Sequence, residues 1–325
     1  MQPSHFSQSP LTIRASGKLL LTGEYFVLDG ALALALPVRF GQTLEVGTGG
    51  LGSPSHLHWQ SLDADRTCWF SASFDLTDFS PIEFSDEKTA HTLQAILQKC
   101  RQQNPEFLSS TVNRPPSTVS IRADFPRKWG LGTSSTLIAA VAKWAGVDPY
   151  KVLFETLGGS GYDIACAFAE GPILYQLDGQ QPEIQDVAFY PDFADQLYFV
   201  FLGQKQDSRE GIRRYRERAG QLAHLLPEIS DLTRRFLAAR TLPELDAVIV
   251  EHENLVAAAL DLPRAKSLYF NDFWGEVKSL GAWGGDFVLV TSPRPEAETR
   301  CFFNEKGFDT FLPYREMLAP KNPTS

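Results

Sequence analysis

Cysteine and methionine are scarce in this chain, which has four cysteines and two methionines among 325 residues. The cysteines form no Cys-x-x-Cys pair, so the sequence indicates neither a structural zinc site nor a disulfide framework. A basic excess is also lacking: the formal net charge of −9 argues against binding nucleic acid or an anionic membrane through bulk charge. Long apolar runs are absent too, because those at 31–38 and 197–202 are strand-sized and cannot span a bilayer. These absences predict a soluble, cytoplasmic protein with reduced thiols that binds neither nucleic acid nor membrane.

The first hundred residues contain mostly strand patterns, and the later part contains mostly helical ones. Short apolar or alternating runs predict strands at 19–21, 31–38 and 41–46, with Asp29-Gly30 as a hairpin turn. Apolar residues at helical spacing predict an amphipathic helix at 87–103. The remaining predictions are helices at 136–145, 208–224, 228–239 and 243–260, and buried strands at 197–202 and 287–291. Strands followed by helices favour an α+β fold in two domains, 1–190 and 191–325, over an alternating βαβ sheet.

The segment most informative about function is 126–135, Pro-Arg-Lys-Trp-Gly-Leu-Gly-Thr-Ser-Ser. Gly130 and Gly132 leave backbone N–H groups uncovered, and the helix that follows directs its N-terminal N–H groups and dipole at the loop. Three hydroxyls placed to reach a phosphate or Mg²⁺ follow, on Thr133, Ser134 and Ser135. The segment is neither a Walker A loop, which needs a lysine after the second glycine, nor a dinucleotide fingerprint, which needs a third glycine. By itself it supports an anion cradle and a simple capped turn about equally.

Three other segments contain residues that could take part in a reaction or bind a ligand, and each also has an ordinary structural explanation. Lys18 opens an apolar strand, where a solvated lysine would be unremarkable. Asp163 follows the glycine-rich turn 158–161 and precedes an apolar helix, where an aspartate can act as an N-cap. Residues 281–285, Gly-Ala-Trp-Gly-Gly, precede a predicted strand and could form no more than a tight turn.

Together and in this order, the four segments resemble the motifs of the GHMP kinase superfamily, in its mevalonate kinase and phosphomevalonate kinase branch. Residues 126–135 resemble the family's Pro-x-x-x-Gly-Leu-Gly-Ser-Ser-Ala motif, and 281–285 resemble its C-terminal glycine loop. Lys18 and Asp163 resemble the lysine and the catalytic aspartate of that branch, and His252 begins a His-Glu-Asn-Leu-Val segment like the helix before the last motif. The resemblance implies a two-domain α+β fold with an N-terminal domain like ribosomal protein S5 domain 2 and a ferredoxin-like C-terminal domain.

The resemblance also implies a function, namely phosphoryl transfer from ATP to a small hydroxy acid in isoprenoid precursor synthesis, with Mg²⁺. Asp163 would accept the proton of the substrate hydroxyl, and Lys18 would pair with Asp163 and stabilise charge on the attacking oxygen. Ser134 and Glu155 would bind Mg²⁺, although Glu155 is equally well explained as a solvated helix residue. The implied ATP-binding residues are Gly130, Leu131, Gly132, Thr133, Ser134 and Ser135. The implied substrate-binding residues are Glu24, Ser160, Lys205, Arg209, Gly284 and Gly285.

Several features leave the substrate open. Trp283 and Asp286 replace small residues of the last motif, and the interval from Ser135 to Asp163 is shorter than the family's. Gly-Glu-Tyr at 23–25 and Gly-Gly-Asp at 284–286 are more typical of phosphomevalonate kinase than of mevalonate kinase, yet no single residue decides. We expect a mevalonate kinase-like enzyme, with phosphomevalonate kinase, a decarboxylase relative and a non-catalytic ligand-binding member as alternatives. The expected partner is a small molecule, and a homodimer is left open.

Overall fold

The computed structural model describes residues 11–48, 56–109, 117–203, 208–281, 283 and 286–318. Three of the predicted substrate residues, Lys205, Gly284 and Gly285, lie outside the described residues. The strands are β1 Leu11–Thr22, β2 Ala33–Thr48, β3 His56–Leu62, β4 Cys68–Asp75, β5 Pro81–Phe84, β6 Ser117–Ala123, β7 Ile173–Asp178, β8 Gln181–Asp186, β9 Leu197–Phe201, β10 Val277–Ser279, β11 Phe287–Thr291 and β12 Phe311–Pro313. The helices are α1 Glu87–Gln103, α2 Thr133–Ala145, α3 Pro149–Thr156, α4 Tyr162–Cys166, α5 Ser208–Leu222, α6 Leu226–Ala238, α7 Leu242–Leu260, α8 Ala265–Tyr269, α9 Glu296–Glu305 and α10 Tyr314–Met317.

The chain forms two units, and the first comprises the described residues within 1–15, 41–126 and 133–164. Its sheet has the order β5-β4-β3-β6-β2, in which β3 and β6 are parallel and the other neighbours are antiparallel. Helices α1, α2 and α3 pack against one another, and α1 also packs against β4 and β5. The N-terminus of α1 is capped by Asp86, which accepts a hydrogen bond from the backbone N–H of Thr89. Its buried residues fall at helical spacing, as predicted: Ala90, Leu93, Ile96, Leu97 and Cys100.

The second unit comprises the described residues within 16–40, 127–132 and 165–325. It contains an antiparallel four-stranded sheet of order β10-β11-β9-β12, whose central strands β9 and β11 are buried at every residue. In the same unit, residues 33–35 of β2 pair with β7, and β7 pairs with β8. One apolar cluster lies on the four-stranded sheet and includes Tyr198, Phe270, Val288 and Phe303. Such continuous burial explains why β9 is entirely apolar in sequence and β11 is apolar up to its last residue, Thr291.

The α+β class is confirmed, and so are the predicted helices and the strands at 197–202 and 287–291. The runs predicted as two strands at 31–38 and 41–46 belong to one continuous strand, β2, and the hairpin turn at Asp29-Gly30 is wrong. Strand β1 pairs with β2, yet residues 23–32 between them include a 3₁₀ helix, Phe26–Asp29. Gly30 ends that helix with a left-handed φ of 88°, so the Asp-Gly pair is a helix terminus. The division of the chain at residue 190 stays a prediction. Within the described ranges, no helix combines the length and the apolar character that crossing a membrane requires.

Candidate active site

In the second unit, the glycine-rich loop is hydrogen-bonded to strand β1. The backbone N–H of Lys18 donates to the carbonyl of Leu131 at 3.1 Å, and the Lys18 ammonium donates to the carbonyl of Gly130 at 2.9 Å. A Cβ at Gly17 would lie only 2.7 Å from that Leu131 oxygen, so the close approach requires glycine. Gly130 and Gly132 have φ values of 69° and 91°, in the left-handed region that favours glycine. Lys18 therefore holds the loop, and its predicted pairing with Asp163 stays a prediction.

In the first unit, helix α2 begins at Thr133 with no acidic residue in its first turn. Ser134 is exposed and Ser135 is buried. One turn into the helix, the Thr136 hydroxyl donates to the Gln42 side chain at 2.6 Å, which ties α2 to β2. The first-turn N–H groups and the positive end of the helix dipole therefore suit an anion, with the Ser134 hydroxyl at the surface beside them.

Asp163 lies in the first unit, inside the short helix α4 and not at its N-cap position. The turn that precedes it depends on glycine, because φ is 69° at Gly158, 112° at Gly159 and 87° at Gly161. Its Oδ1 accepts a hydrogen bond from the backbone N–H of Ile164 at 3.1 Å, and the side chain is half-buried. This local bond orients the carboxylate while leaving it accessible, which is the arrangement that a proton acceptor needs.

Glu155, the predicted acidic ligand of Mg²⁺, already has a partner in the first unit. Its carboxylate pairs with the ammonium of Lys99 on α1 at 3.0 Å, and its side chain is 55% exposed. Among the residues that the structure describes, no group of three or more His, Cys, Asp or Glu side chains could hold a metal ion. Mg²⁺ commonly takes one or two protein ligands and completes its shell with phosphate oxygens and water. Ser134 and Glu155 are therefore compatible with a Mg²⁺ ion that is bound mainly by the phosphates of a nucleotide, and not with one bound by protein ligands alone.

The second glycine loop is described at Gly281, Trp283 and Asp286. The Trp283 ring is buried in an apolar cluster of the second unit, and its Nε1 donates to the carbonyl of Pro263 at 2.9 Å. Asp286 is buried too, and a Cβ added to Gly130 would lie 2.2 Å from its carboxyl carbon. The two large replacements in this motif thus have different surroundings: Trp283 packs into the core, and Asp286 touches the first glycine loop.

Replacing Gly130 with alanine tests this contact. We expect loss of ATP binding and a fall of about 2–4 kcal/mol in the free energy of unfolding, because left-handed strain adds to a clash with Asp286. Gly146→Ala is the matched control, since Gly146 has a similar φ of 67° with nothing within 4 Å of an added Cβ. The control substitution should lower the free energy of unfolding by only about 1–2 kcal/mol. Urea denaturation measures the free energy of unfolding of both variants. Equal losses in the two variants would mean that contact with Asp286 does not constrain Gly130.

Glu24, predicted to bind substrate, belongs to a buried group of charged side chains that sequence reasoning missed. Its side chain has no exposed surface and receives a hydrogen bond from Lys278 at 2.5 Å. The other carboxyl oxygen faces Nε2 of His252 at 3.3 Å, and that nitrogen accepts the backbone N–H of Gly23 at 3.2 Å. A direct contact between Glu24 and substrate stays a prediction, which this burial disfavours. No local signal could have found the group, because Lys278 lies 254 residues from Glu24.

Burial dominates the electrostatics of this group. Burial raises the pKa of Glu24, and the nearby Lys278 charge opposes that shift only in part. The pKa of His252 is well below its usual value, first because of burial and then because of the Lys278 charge, so this histidine is neutral. Burial also raises the pKa of Glu253 to about 8, against the opposing charge of Lys278. Glu253 accepts hydrogen bonds from the backbone N–H of Ser279 at 3.0 Å and from its hydroxyl at 3.2 Å.

These pKa shifts predict a pH-dependent stability. A carboxyl whose pKa is higher in the folded state than in the unfolded state stabilises the fold. This stabilisation is complete at pH values below the pKa of the unfolded state, and it is lost as the pH rises through the pKa of the folded state. Between pH 6.5 and 8.5, Glu253 should therefore lower the free energy of unfolding by about 2 kcal/mol. His252 shifts in the opposite direction, and its contribution is constant above about pH 6.5. Urea denaturation across this range should show a clearly smaller fall in Glu253→Gln than in the wild type, and the raised pKa of Glu24 accounts for any fall that remains.

The control for this pH prediction is Glu251→Gln, on the same helix α7. Glu251 is exposed, and its hydrogen bond with Arg235 lowers its pKa, so its titration falls in the acidic range. This variant should keep the wild-type slope between pH 6.5 and 8.5. A wild-type slope in Glu253→Gln would contradict the assignment of the titration to Glu253.

Helix α5, which contains the predicted substrate residue Arg209, has a solvated face. The Arg213 guanidinium pairs with Glu210 and with Glu217, both at 2.7 Å, and all three side chains are more than half exposed. This agrees with the ordinary explanation of helix-surface pairs. Arg209 lies in α5, but its side chain is outside the described residues, so a substrate contact by Arg209 stays a prediction.

Solved structures of similar fold cover almost the whole chain. A Lin0012 protein from Listeria innocua matches with a TM-score of 0.68 and 16% identity, over 94% of this chain and 97% of that one. Streptococcus pneumoniae phosphomevalonate kinase in complex with phosphomevalonate and AMPPNP matches with a TM-score of 0.68 and 18% identity, over 93% and 99%. L. major mevalonate kinase in complex with R-mevalonate matches with a TM-score of 0.62 and 15% identity, over 96% and 97%.

The two named kinases among these neighbours are GHMP kinases, and this chain has the GHMP kinase fold. No family model matches the chain, and no curated protein matches it as a relative. At these identities the likeness defines the fold, and the chemistry has to be argued from this chain's own residues.

Proposed function

We propose that this chain is an ATP-dependent small-molecule kinase that phosphorylates mevalonate. The observation that supports this most strongly is the contact of Lys18 with the carbonyl of Gly130, within a GHMP kinase fold. The lysine and the glycine-rich loop, which the sequence motifs implicate separately, meet in the structure although 112 residues separate them. A loop that served only to cap a helix would not need a cation bonded to its carbonyl.

In the proposed reaction, the backbone N–H groups of Gly130, Gly132 and Thr133 bind the phosphates of ATP. As the acceptor oxygen attacks the γ-phosphorus, Asp163 takes its proton and the bond to the bridging oxygen of ADP breaks. Lys18 stabilises the negative charge on the attacking oxygen and holds the loop at the same time. Ser160, in the turn before Asp163, would contact the substrate.

Ser134 and Glu155 are the proposed protein ligands of Mg²⁺, which neutralises charge on the phosphate oxygens when it is bound. Because the Glu155 carboxylate pairs with Lys99, it would have to exchange that partner for the ion. The Ser134 hydroxyl is exposed and needs no such change.

Phosphomevalonate is the second candidate acceptor. Tyr25 and Asp286 favour it, since Gly-Glu-Tyr and Gly-Gly-Asp are the forms that resemble phosphomevalonate kinase. Lys205 and Arg209 would then be the cations for the substrate phosphate.

The deciding experiment measures ADP release from purified protein with Mg·ATP and, separately, mevalonate, phosphomevalonate, homoserine and several sugars. Release with mevalonate alone would establish the proposal, and release only with phosphomevalonate would replace it with the second candidate. Release of carbon dioxide would identify a decarboxylase instead. If nucleotide binds and no acceptor is phosphorylated, the chain is a ligand-binding member of the fold.

A further inference from the structure

The dipeptide Glu24-Tyr25, which is separated from the end of β1 by Gly23 alone, makes contacts on both sides of Gly281 in the second glycine loop. Glu24 binds Lys278, which lies in β10, three residues before Gly281. The hydroxyl of Tyr25 accepts the backbone N–H of Trp283 at 3.1 Å, and this hydrogen bond is buried. Adjacent residues thus make one contact before Gly281 and one contact after it.

The backbone at Tyr25 adopts an unfavourable conformation to make its contact. Its φ is 62°, in the left-handed region that a bulky residue rarely occupies. A Cβ added to Gly211, on α5, would lie 2.3 Å from the Tyr25 hydroxyl, so a larger residue at this position would displace the Tyr25 side chain. The ring packs beside Tyr215, with centroids 6.2 Å apart. The surrounding residues therefore accommodate the strained conformation and aim the hydroxyl at the backbone of the loop.

The contacts of Glu24-Tyr25 extend to the candidate phosphate loop. From Trp283 the chain reaches Asp286, whose carboxyl group lies against Gly130. The Gly130 carbonyl in turn accepts the hydrogen bond from Lys18, on the same strand that ends just before Glu24. Both glycine loops are therefore held by one stretch of chain, residues 18–25, at its two ends.

We propose that Glu24 and Tyr25 are positioning residues that hold the backbone on both sides of Gly281, and thereby keep Asp286 in place against the Gly130 loop. This inference rests on the proposed kinase function, and it gives Glu24 a role other than binding substrate. The Tyr25 hydrogen bond is the more direct test, because its removal leaves no charge buried. Misplacing the loop should impair the transition state more than the binding of ATP, since the Lys18 and Leu131 contacts still hold the Gly130 loop.

The test compares Tyr25→Phe with Tyr215→Phe in the full-length protein. Tyr215 belongs to the same apolar cluster and donates its hydroxyl to Asp29 at 2.7 Å, without a hydrogen bond to the loop. Labelling with ¹⁵N-tryptophan gives signals from six backbone amides, and Trp283→Phe assigns the one of interest. Amide exchange at Trp283 is then read directly, with the amide of Trp59, in β3, as the reference for global unfolding.

In Tyr25→Phe we expect exchange at the Trp283 amide to rise roughly tenfold while Trp59 is unchanged. With Mg·ATP and mevalonate or phosphomevalonate, kcat should fall roughly three- to tenfold while the KM for ATP stays within about twofold. Tyr215→Phe should leave both quantities near wild type. Unchanged exchange at Trp283 in Tyr25→Phe, or an equal loss of kcat in Tyr215→Phe, would overturn the inference. An inactive wild type would instead reject the proposed function, and the exchange data would still decide whether Tyr25 holds the loop.

Discussion

Replacing Asp163 with asparagine should lower kcat by about a hundredfold or more and leave the affinity for ATP nearly unchanged. A positioned general base contributes roughly 10²–10⁴ in rate, and an amide cannot accept the proton of the attacking hydroxyl. Asparagine retains an oxygen that can accept the Ile164 N–H, so the local fold of α4 should persist. Steady-state kinetics with the acceptor found in the substrate panel, and calorimetric titration with an ATP analogue, measure the two effects separately.

The control for this experiment is Asp148→Asn in the same unit. Asp148 caps α3 by accepting the backbone N–H of Tyr150 at 2.9 Å, and asparagine is an equally good N-cap. This variant should keep the wild-type kcat. If Asp163→Asn turned over at the wild-type rate, the proposed role of Asp163 would be wrong, whatever the substrate.

Replacing Lys278 with methionine should lower the free energy of unfolding by about 3–5 kcal/mol at pH 8, because the partner carboxylate is left buried without its cation. The Lys278 side chain has no exposed surface and also donates to the carbonyl of Ser279 at 3.1 Å. Burial already raises the pKa of Glu24, so without Lys278 this carboxyl can bind a proton and become neutral. The loss should therefore be smaller at pH 5 than at pH 8. Urea denaturation at the two pH values provides the measurement.

Two further variants separate the effect of leaving a carboxylate buried without its partner from the effect of removing a lysine. Lys266 pairs with Glu276 at 2.7 Å near the surface, and Glu276 keeps Arg264 as a second partner. Lys266→Met should therefore cost only about 1 kcal/mol or less. Adding Glu24→Gln to Lys278→Met should restore much of the lost stability, since both charges are then gone. A loss in Lys278→Met no larger than that in Lys266→Met would mean that the buried pair contributes little.

Local patterns predicted the regular structure well where one physical rule dominates. The helix predicted at 87–103 is α1 with the same bounds, because its apolar spacing and its Asp86 cap are both local properties. The strand predicted at 287–291 is β11, since a short apolar run buried throughout has no competing helical period. The prediction of a hairpin at Asp29-Gly30 was wrong because the same dipeptide also terminates a helix, and the preceding residues 26–29 decide between the two.

The candidate site was predicted in part. Sequence motifs selected Lys18 and Gly130, and the structure brings them together. The same motifs selected Glu24 as a substrate residue, whereas its side chain is buried against Lys278. A motif records which residue types recur in order, but it does not say whether a carboxylate faces a ligand or a buried lysine.

The sequence by itself determined the longer helices and the buried strands β9 and β11, because helical period and continuous apolar runs depend on neighbouring residues. Only the tertiary structure decided which distant side chains meet. Glu24 lies 254 residues from Lys278, and Tyr25 lies 258 residues from Trp283. Such contacts arise from the packing of whole strands and helices, and burial then sets the charge state of Glu253 and His252. The path from Lys18 through both glycine loops to Tyr25 is therefore a property of the fold, formed from residues that look unrelated along the chain.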